Sequence, residues 1–249
     1  PVHRPTMVGT TATPTGSGYR LDGCKVMVLD AHVADTLIVV ARTSGEAGEE
    51  HGLSLFLVER SNDGVTTDAA AMVDSHNAGE VTLTGVEVGS DALLGELDAG
   101  FAPLGKALDI ANIGLSAELL GLSLEAYERT MTYLKERRQF GDLIGSFQAL
   151  QHRAAEMYAE LELARSIVLK ALHAIDQDDD NLSRMASACK AKLCEVATRV
   201  SNEGVQMHGG IGMTDEFEIG FFLKRARVAQ QTYGDYHYHL DRFVLLSGY

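Results

Sequence analysis

Only three cysteines occur in the 249 residues, at Cys24, Cys189 and Cys194. They form neither an even disulfide set nor a metal-ligand spacing, so a reducing, cytoplasmic compartment is the expectation. Basic residues are scarce as well: 21 Lys and Arg stand against 35 Asp and Glu, a net charge of −14. Neutralising a phosphate backbone needs clustered cations, so nucleic acid is excluded as a partner. An anionic ligand must instead be held by a local basic patch or by backbone dipoles. No apolar run of the ~18 residues that a membrane span needs is visible, and no signal-peptide pattern. An initiator Met is missing too, because the chain opens on Pro1 and its first residues read like the middle of a protein. It is expected to be a fragment of something longer.

What is present suits a globular protein, with 45% hydrophobic and 22% charged residues over a length that holds one large domain or two modest ones. Residues 1–97 read as strands and turns. Gly18 to Lys25 (GYRLDGCK) alternates around an Asp22-Gly23 pair, which predicts a hairpin turn there. Thr36 to Arg42 (TLIVVAR) and Leu53 to Glu59 (LSLFLVE) are strand-like runs split by a polar turn, and Val81 to Val88 alternates again. Several short strands so spaced predict a small β-sandwich or barrel.

The period changes near Leu97 to Gly100. Leu108, Ala111, Leu115, Leu119, Leu122 and Ala126 recur at spacings of three and four, as do Leu150, Ala154, Met157, Leu161, Ala164, Val168 and Ala171. These are amphipathic helices, separated by Gly141 to Ser146 with Ser146 as the expected N-cap. Asp176 to Asn181 (DQDDDN) lacks the alternating ligands and glycine of a calcium loop and reads as a solvated turn. A third helix is expected from Leu182 to about Gln206, a fourth from Phe217 to about Tyr233, and a last one to Tyr249. The fold class is therefore α+β: a β-sandwich or barrel over 1–97, then an antiparallel four-helix-type bundle over 98–249. The helices near Lys192 to Gly210 are expected to pack against another subunit, because the Ala- and Cys-rich faces between Met185 and Val200 allow close helix approach.

Two stretches carry chemistry. In Gln206 to Thr214 (QMHGGIGMT), Gly209, Gly210 and Gly212 follow a helix directly. They are either an ordinary helix C-cap or backbone presented for close approach to a ligand. In Lys135 to His152 (KERRQFGDLIGSFQALQH), Arg137 and Arg138 end a helix, Phe140 follows, and Gln148 and His152 sit one turn apart. The arginines either complement the helix dipole or reach a phosphate, with Phe140 packing on an aromatic ligand.

Together, KERRQFGDLIGSFQALQHRAAEM and QMHGGIGMT resemble the acyl-CoA dehydrogenase family closely. GYRLDGCKVMV, ADTLIVVART, VEVGSDALLG and LDIANIGLSAELLG extend the resemblance over almost the whole chain. It implies a β domain and a helical domain enclosing FAD at a subunit interface, with an N-terminal helical domain absent and Pro1 falling where a flavin-contacting loop enters the β domain. It implies an acyl-CoA substrate, an electron-transfer flavoprotein or similar acceptor, and a homo- or hetero-oligomer built as a dimer of dimers. Cofactor roles fall on Arg137, Gln139, Phe140, Phe147, Gln148, Gln206, Gly209 and Gly210. The arginine would meet the pyrophosphate, and the Gln–Gly-Gly turn the adenosine end from a neighbouring subunit.

The chain departs from the family at the catalytic base. The two positions at which the family carries a glutamate correspond to Gly234, after Tyr233, and to Ala111, and the Arg often next to the latter is Asn112. Neither glycine nor alanine can accept an α-proton. Asp235, one residue late, is the first remaining candidate, and Glu118, two turns along the helix, the second. The flavin-contacting aromatic and hydroxyl positions of the β domain correspond to Met27 and Leu29. His237 and His239 lie two apart and face different sides of a helix, so no metal is expected. Three functions compete: FAD-dependent α,β-dehydrogenation of an acyl-CoA in fatty-acid or steroid degradation, a non-catalytic partner subunit completing a sister chain's FAD site, and a mere scaffold. The missing carboxylate favours the second over the first.

Overall fold

The computed structural model describes residues 3–249, so the expectation attached to Pro1 lies outside the described residues. Among these residues one compact unit ends at Lys106 and a second runs from Ala107 to Tyr249.

The first unit holds β1 (Thr11–Pro14), β2 (Gly18–Leu29), β3 (Thr36–Arg42), β4 (Leu53–Glu59), β5 (Val65–Ala71), β6 (Asn77–Gly89) and β7 (Leu93–Leu94). They make one mixed sheet in the order β5-β6-β2-β1-β3-β4-β7, antiparallel throughout except where β1 meets β3. In β3 the alternation buries Leu37, Val39 and Ala41 and exposes Thr36 and Ile38, the pattern of a strand with one wet face. Tyr19 on β2 and Phe56 on β4 bring their ring centroids to 5.0 Å although β1 and β3 lie between them. Three strand spacings in a flat sheet would be about 14 Å. The sheet therefore curls around its core of Leu21, Val39, Phe56, Val58, Val81 and Val86.

Asp22-Gly23 is not a hairpin turn. The chain reverses earlier, where the Thr15 amide donates to the Gly18 carbonyl at 2.8 Å and the Gly18 amide to Thr15 Oγ1 at 3.1 Å. β2 continues through Gly23 with a register shift against β6, so the pair forms a bulge. Asp22 Oδ1 accepts from the Gly85 amide at 2.7 Å, and at Gly23 (φ +147°) a Cβ would meet Thr10 Cα at 2.7 Å. Asp-Gly serves a turn or a bulge equally well, and here pairing with β6 decides.

Five helices follow: α1 (Phe101–Glu136), α2 (Gln148–Asp176), α3 (Leu182–His208), α4 (Ile219–Gln231) and α5 (Tyr236–Leu246). Their apolar stripes converge on one core that includes Ile113, Leu119, Leu161, Leu193, Val200 and Ile219. α3 packs against α2, α4 and α5 and is buried on almost every turn. Its Ala- and Cys-rich faces are thus filled by helices of its own chain. Ser146 is not an N-cap either. Its hydroxyl donates to the Leu143 carbonyl at 2.7 Å, and α2 starts from Phe147 without a side-chain cap.

α1 corrects the expectation about apolar runs. Its best window reaches a mean hydropathy of 1.3, so by length and composition it could cross a membrane. Its buried positions, however, include Asp109, Asn112, Ser116, Ser123 and Thr130. Ser116, Ser123 and Thr130 turn their hydroxyls back onto carbonyls four residues earlier, each at 2.7 Å, while Asp109 and Asn112 bond to the neighbouring α3 and α5 and to the segment after α4. This is the pattern of a core helix.

Candidate functional site

Between α1 and α2 the chain forms a small hairpin, β8 (Arg138–Gln139) and β9 (Asp142–Leu143). Its two turn residues, Phe140 (φ +55°) and Gly141 (φ +89°), are both left-handed, as a type I′ turn requires. Phenylalanine in that conformation costs about 1–2 kcal/mol, yet here it also stands 90% exposed at the tip. Its ring meets Phe147 edge-on at 6.2 Å. Arg137, Arg138, Gln139 and Gln148 are exposed beside the two rings. The Arg137 backbone is fixed on both sides, by its amide to the Tyr133 carbonyl and by its carbonyl from the Ile144 amide, each at 2.9 Å. Its guanidinium makes no ion pair among the described residues. A fork of five donors with two exposed rings nearby suits an anionic aromatic ligand.

The glycine turn separates into two kinds of glycine. Gly209 ends α3 at φ +66° and Gly212 would press a Cβ against the Val205 carbonyl at 2.7 Å, so the chain's own geometry requires both. Gly210 is exposed, and a Cβ there meets nothing within 4 Å. No contact among the described residues explains it. Gln206, one turn earlier, is exposed as well. Buried His208 stacks on Tyr133 at 4.3 Å, and the Tyr133 hydroxyl donates to the His208 carbonyl at 3.3 Å. Tyr133 lies one turn before Arg137, so the fold brings both motifs to the same end of the bundle. Burial holds the His208 imidazole below its usual pKa, hence neutral.

The segment after α4 holds Gly234, one of the two positions at which the resemblance leads one to expect a base. Tyr233 (φ +57°) and Gly234 (φ +109°) reverse the chain. Completely buried Lys190 on α3 donates to the carbonyls of Thr232 at 2.7 Å and Gly234 at 3.0 Å, and reaches Asn112 Oδ1 at 3.4 Å. The Tyr233 carbonyl accepts from Asn112 Nδ2 at 3.4 Å and lies 3.1 Å from His239 Nε2. A Cβ at Gly234 would stand 2.4 Å from Tyr238 Cδ1 and 2.9 Å from His239 Nε2. Asp235 Oδ1 caps α5 by accepting from the Tyr238 amide at 2.9 Å. The residue also borders a cleft of about 570 Å³ shared with Arg199, Asn202 and Arg227. Glu118 is committed elsewhere, to a two-bond pair with Arg225 at 2.5 and 2.9 Å. Ala111 is half-buried on α1. In the β unit, Met27 (φ +55°) and Leu29 are exposed.

Lys190 was not singled out from the sequence, and His239 was considered there only as a metal ligand. Lys190 had a legible signal, because it sits at core spacing with Ala186, Leu193 and Ala197 on a helix face that is otherwise apolar. Burial lowers its pKa to about 8. The folded state therefore releases the proton before the unfolded chain does, and stability rises with pH between about 8 and the ordinary lysine value. Lys190→Met should flatten the alkaline limb of a stability–pH profile measured by denaturant unfolding. An unchanged slope would refute it.

The chain matches the family model for the acyl-CoA dehydrogenase middle domain over residues 4–86 and that for the C-terminal domain over residues 98–243. It belongs to the acyl-CoA dehydrogenase family, whose members are FAD flavoproteins. It is 32% identical over 225 residues to the 3-(aryl)acrylate reductase of Clostridium sporogenes, covering 89% of this chain and 59% of that protein. The structure of butyryl-CoA dehydrogenase from Megasphaera elsdenii superimposes with a TM-score of 0.89 at 29% identity, over 95% of this chain and 62% of that one. A variant of the Tcur3481-Tcur3483 steroid ACAD gives a TM-score of 0.85 at 31% identity, over 97% of this chain and 63% of that one. The chain thus spans less than two thirds of the length of each.

Proposed function

We propose that this chain is part of a subunit of a flavoprotein that dehydrogenates acyl-CoA thioesters at the α,β-bond, with an electron-transfer flavoprotein or similar protein as acceptor. FAD, when bound, supplies the hydride acceptor. The observation that carries the reading is the exposed, unpaired group formed by Arg137, Phe140 and Phe147. The guanidinium would hold the pyrophosphate through two parallel hydrogen bonds, the rings would shield it from water, and Gln139 and Gln148 would complete the polar rim. Gln206 and the bare backbone of Gly209 and Gly210 would accept the adenosine end, most simply of a cofactor shared with a neighbouring subunit. Replacing Arg137 by Gln removes the fork while keeping a polar side chain. The full-length oligomer should then lose at least tenfold in flavin affinity, read as absorbance retained after gel filtration. Unchanged occupancy would reduce Arg137 to a helix-terminal cation.

A second reading has its own observation. At Gly234 the space for a side chain is filled by Tyr238, and Glu118 is engaged by Arg225. Asp235 is left as the proton acceptor nearest the family position, and one of its oxygens is occupied as a helix cap. In this reading the chain completes the FAD site of a sister subunit that brings the carboxylate. Expression of the full-length protein alone and with its gene neighbours separates the two, since only the second predicts acyl-CoA oxidation solely in the mixed preparation. The free thiols, with Cys189 and Cys194 pushed by burial to about 11, suit a cytoplasmic setting.

A further inference from the structure

We propose that Lys190 is the positioning residue of the α4–α5 turn, gathering the carbonyls of Thr232 and Gly234 so that Asp235 is held at the rim of the cleft. The assignment of Asp235 as a proton acceptor rests on the proposed function; the conformational claim stands without it.

Three successive carbonyls, of Thr232, Tyr233 and Gly234, turn inward to donors on three different helices: Lys190 on α3, Asn112 on α1 and His239 on α5. The reversal they make is costly. Tyr233 is a non-glycine residue in the left-handed region, and such a conformation persists only where its surroundings over-determine it. Lys190 meets three acceptors with its three N–H donors and has no carboxylate within hydrogen-bond distance. A buried ammonium with no carboxylate among its hydrogen-bond partners is a poor way to fill space, since apolar residues of similar volume pack at least as well in such sites. What the ammonium does that a methionine cannot is bridge the carbonyl that follows α4 to the one preceding Asp235. Those two oxygens set the direction in which residue 235 leaves the turn and enters α5. The titratable groups around Lys190 are Cys194 on α3, Asp235 in the turn and His239 on α5. α1 faces it with the neutral amide of Asn112.

Hydrogen–deuterium exchange of the full-length protein tests this without turnover. The reporting amides are Thr232, which donates to Val228, and Tyr238 and His239, which donate to Asp235. Lys190→Met should raise exchange in peptides covering residues 230–240 at least tenfold and leave α2 unchanged. Lys190→Arg, which keeps the donors, should hold that exchange near the wild-type level. A rise shared equally by α2, or no rise at all, would overturn the assignment, because either is what a merely space-filling lysine gives. Should Lys190→Met not fold, Lys190→Gln, which keeps two N–H donors on a shorter side chain, decides. Residues 230–240 should gain exchange ahead of α2, and a rise shared equally by the two regions would reject the proposal. Because none of these measurements needs acyl-CoA oxidation, failure of the enzymatic reading leaves the result interpretable.

Discussion

Gly234→Glu is expected to destabilise the protein by about 2–5 kcal/mol and to add no acyl-CoA oxidation. A side chain at this φ of +109° carries roughly 1–2 kcal/mol of backbone strain. Forcing a Cβ to 2.4 Å from the Tyr238 ring adds an overpacking cost of about 1–3 kcal/mol. The ring cannot step aside freely, since the Tyr238 amide is tied to Asp235 and His239 lies 2.9 Å from the same point. Denaturant unfolding of the purified variant measures the loss. The double variant Gly234→Glu with Tyr238→Ala should recover part of it, as expected for two residues that compete for one volume. Ala111→Glu makes the contrast, because residue 111 is half-buried on a regular helix and meets no such backbone conflict. If Gly234→Glu unfolds at the wild-type midpoint, the turn is more plastic than this packing allows, and Tyr238 does not keep a side chain out of this position.

The second large effect lies at the base of α5. Asp109, buried on α1, accepts from Arg242 Nη1 at 2.5 Å, from Arg242 Nη2 at 3.1 Å and from Ser183 Oγ at 2.6 Å. Arg242 Nη1 also donates to Ser187 Oγ at 3.0 Å, so one guanidinium ties α5 to both α1 and α3. The pair raises the Arg242 pKa further above its already high value, despite the burial that works against it. Asp109→Ala leaves that cation, whose side chain is 25% exposed, without its counter-charge, which costs somewhat less than the roughly 3–5 kcal/mol of a fully buried pair. Replacing both partners, Asp109→Leu with Arg242→Met, should cost much less, because no charge is then stranded. Equilibrium unfolding of the three variants gives the comparison. A loss within about 1 kcal/mol for Asp109→Ala would mean that Arg242 reaches water when the carboxylate is gone.

Much of this was legible in advance, for identifiable reasons. The switch from period-two runs to spacings of three and four separates the sheet from the helices because each element buries one face. That periodicity survives any tertiary detail. TLIVVAR and LSLFLVE became β3 and β4 over the expected residues, and the long helices start close to where their stripes begin. Errors fell where one local signal has two uses. Asp22-Gly23 made a bulge instead of a turn, and Ser146 turned its hydroxyl to Leu143 instead of to α2.

The candidate site divides in the same way. Residue identity alone established that Gly234 and Ala111 cannot accept a proton, because no fold can supply a carboxylate that a residue lacks. Family membership followed from motif order, which is likewise a property of the string. Only the tertiary structure decided that Gly234 has its side-chain volume occupied by Tyr238, that Glu118 is held by Arg225, and that Lys190 rather than any carboxylate organises the turn. Those facts depend on which helices face each other, and residues 112, 190 and 239 are brought onto one stretch of backbone only when α1, α3 and α5 pack.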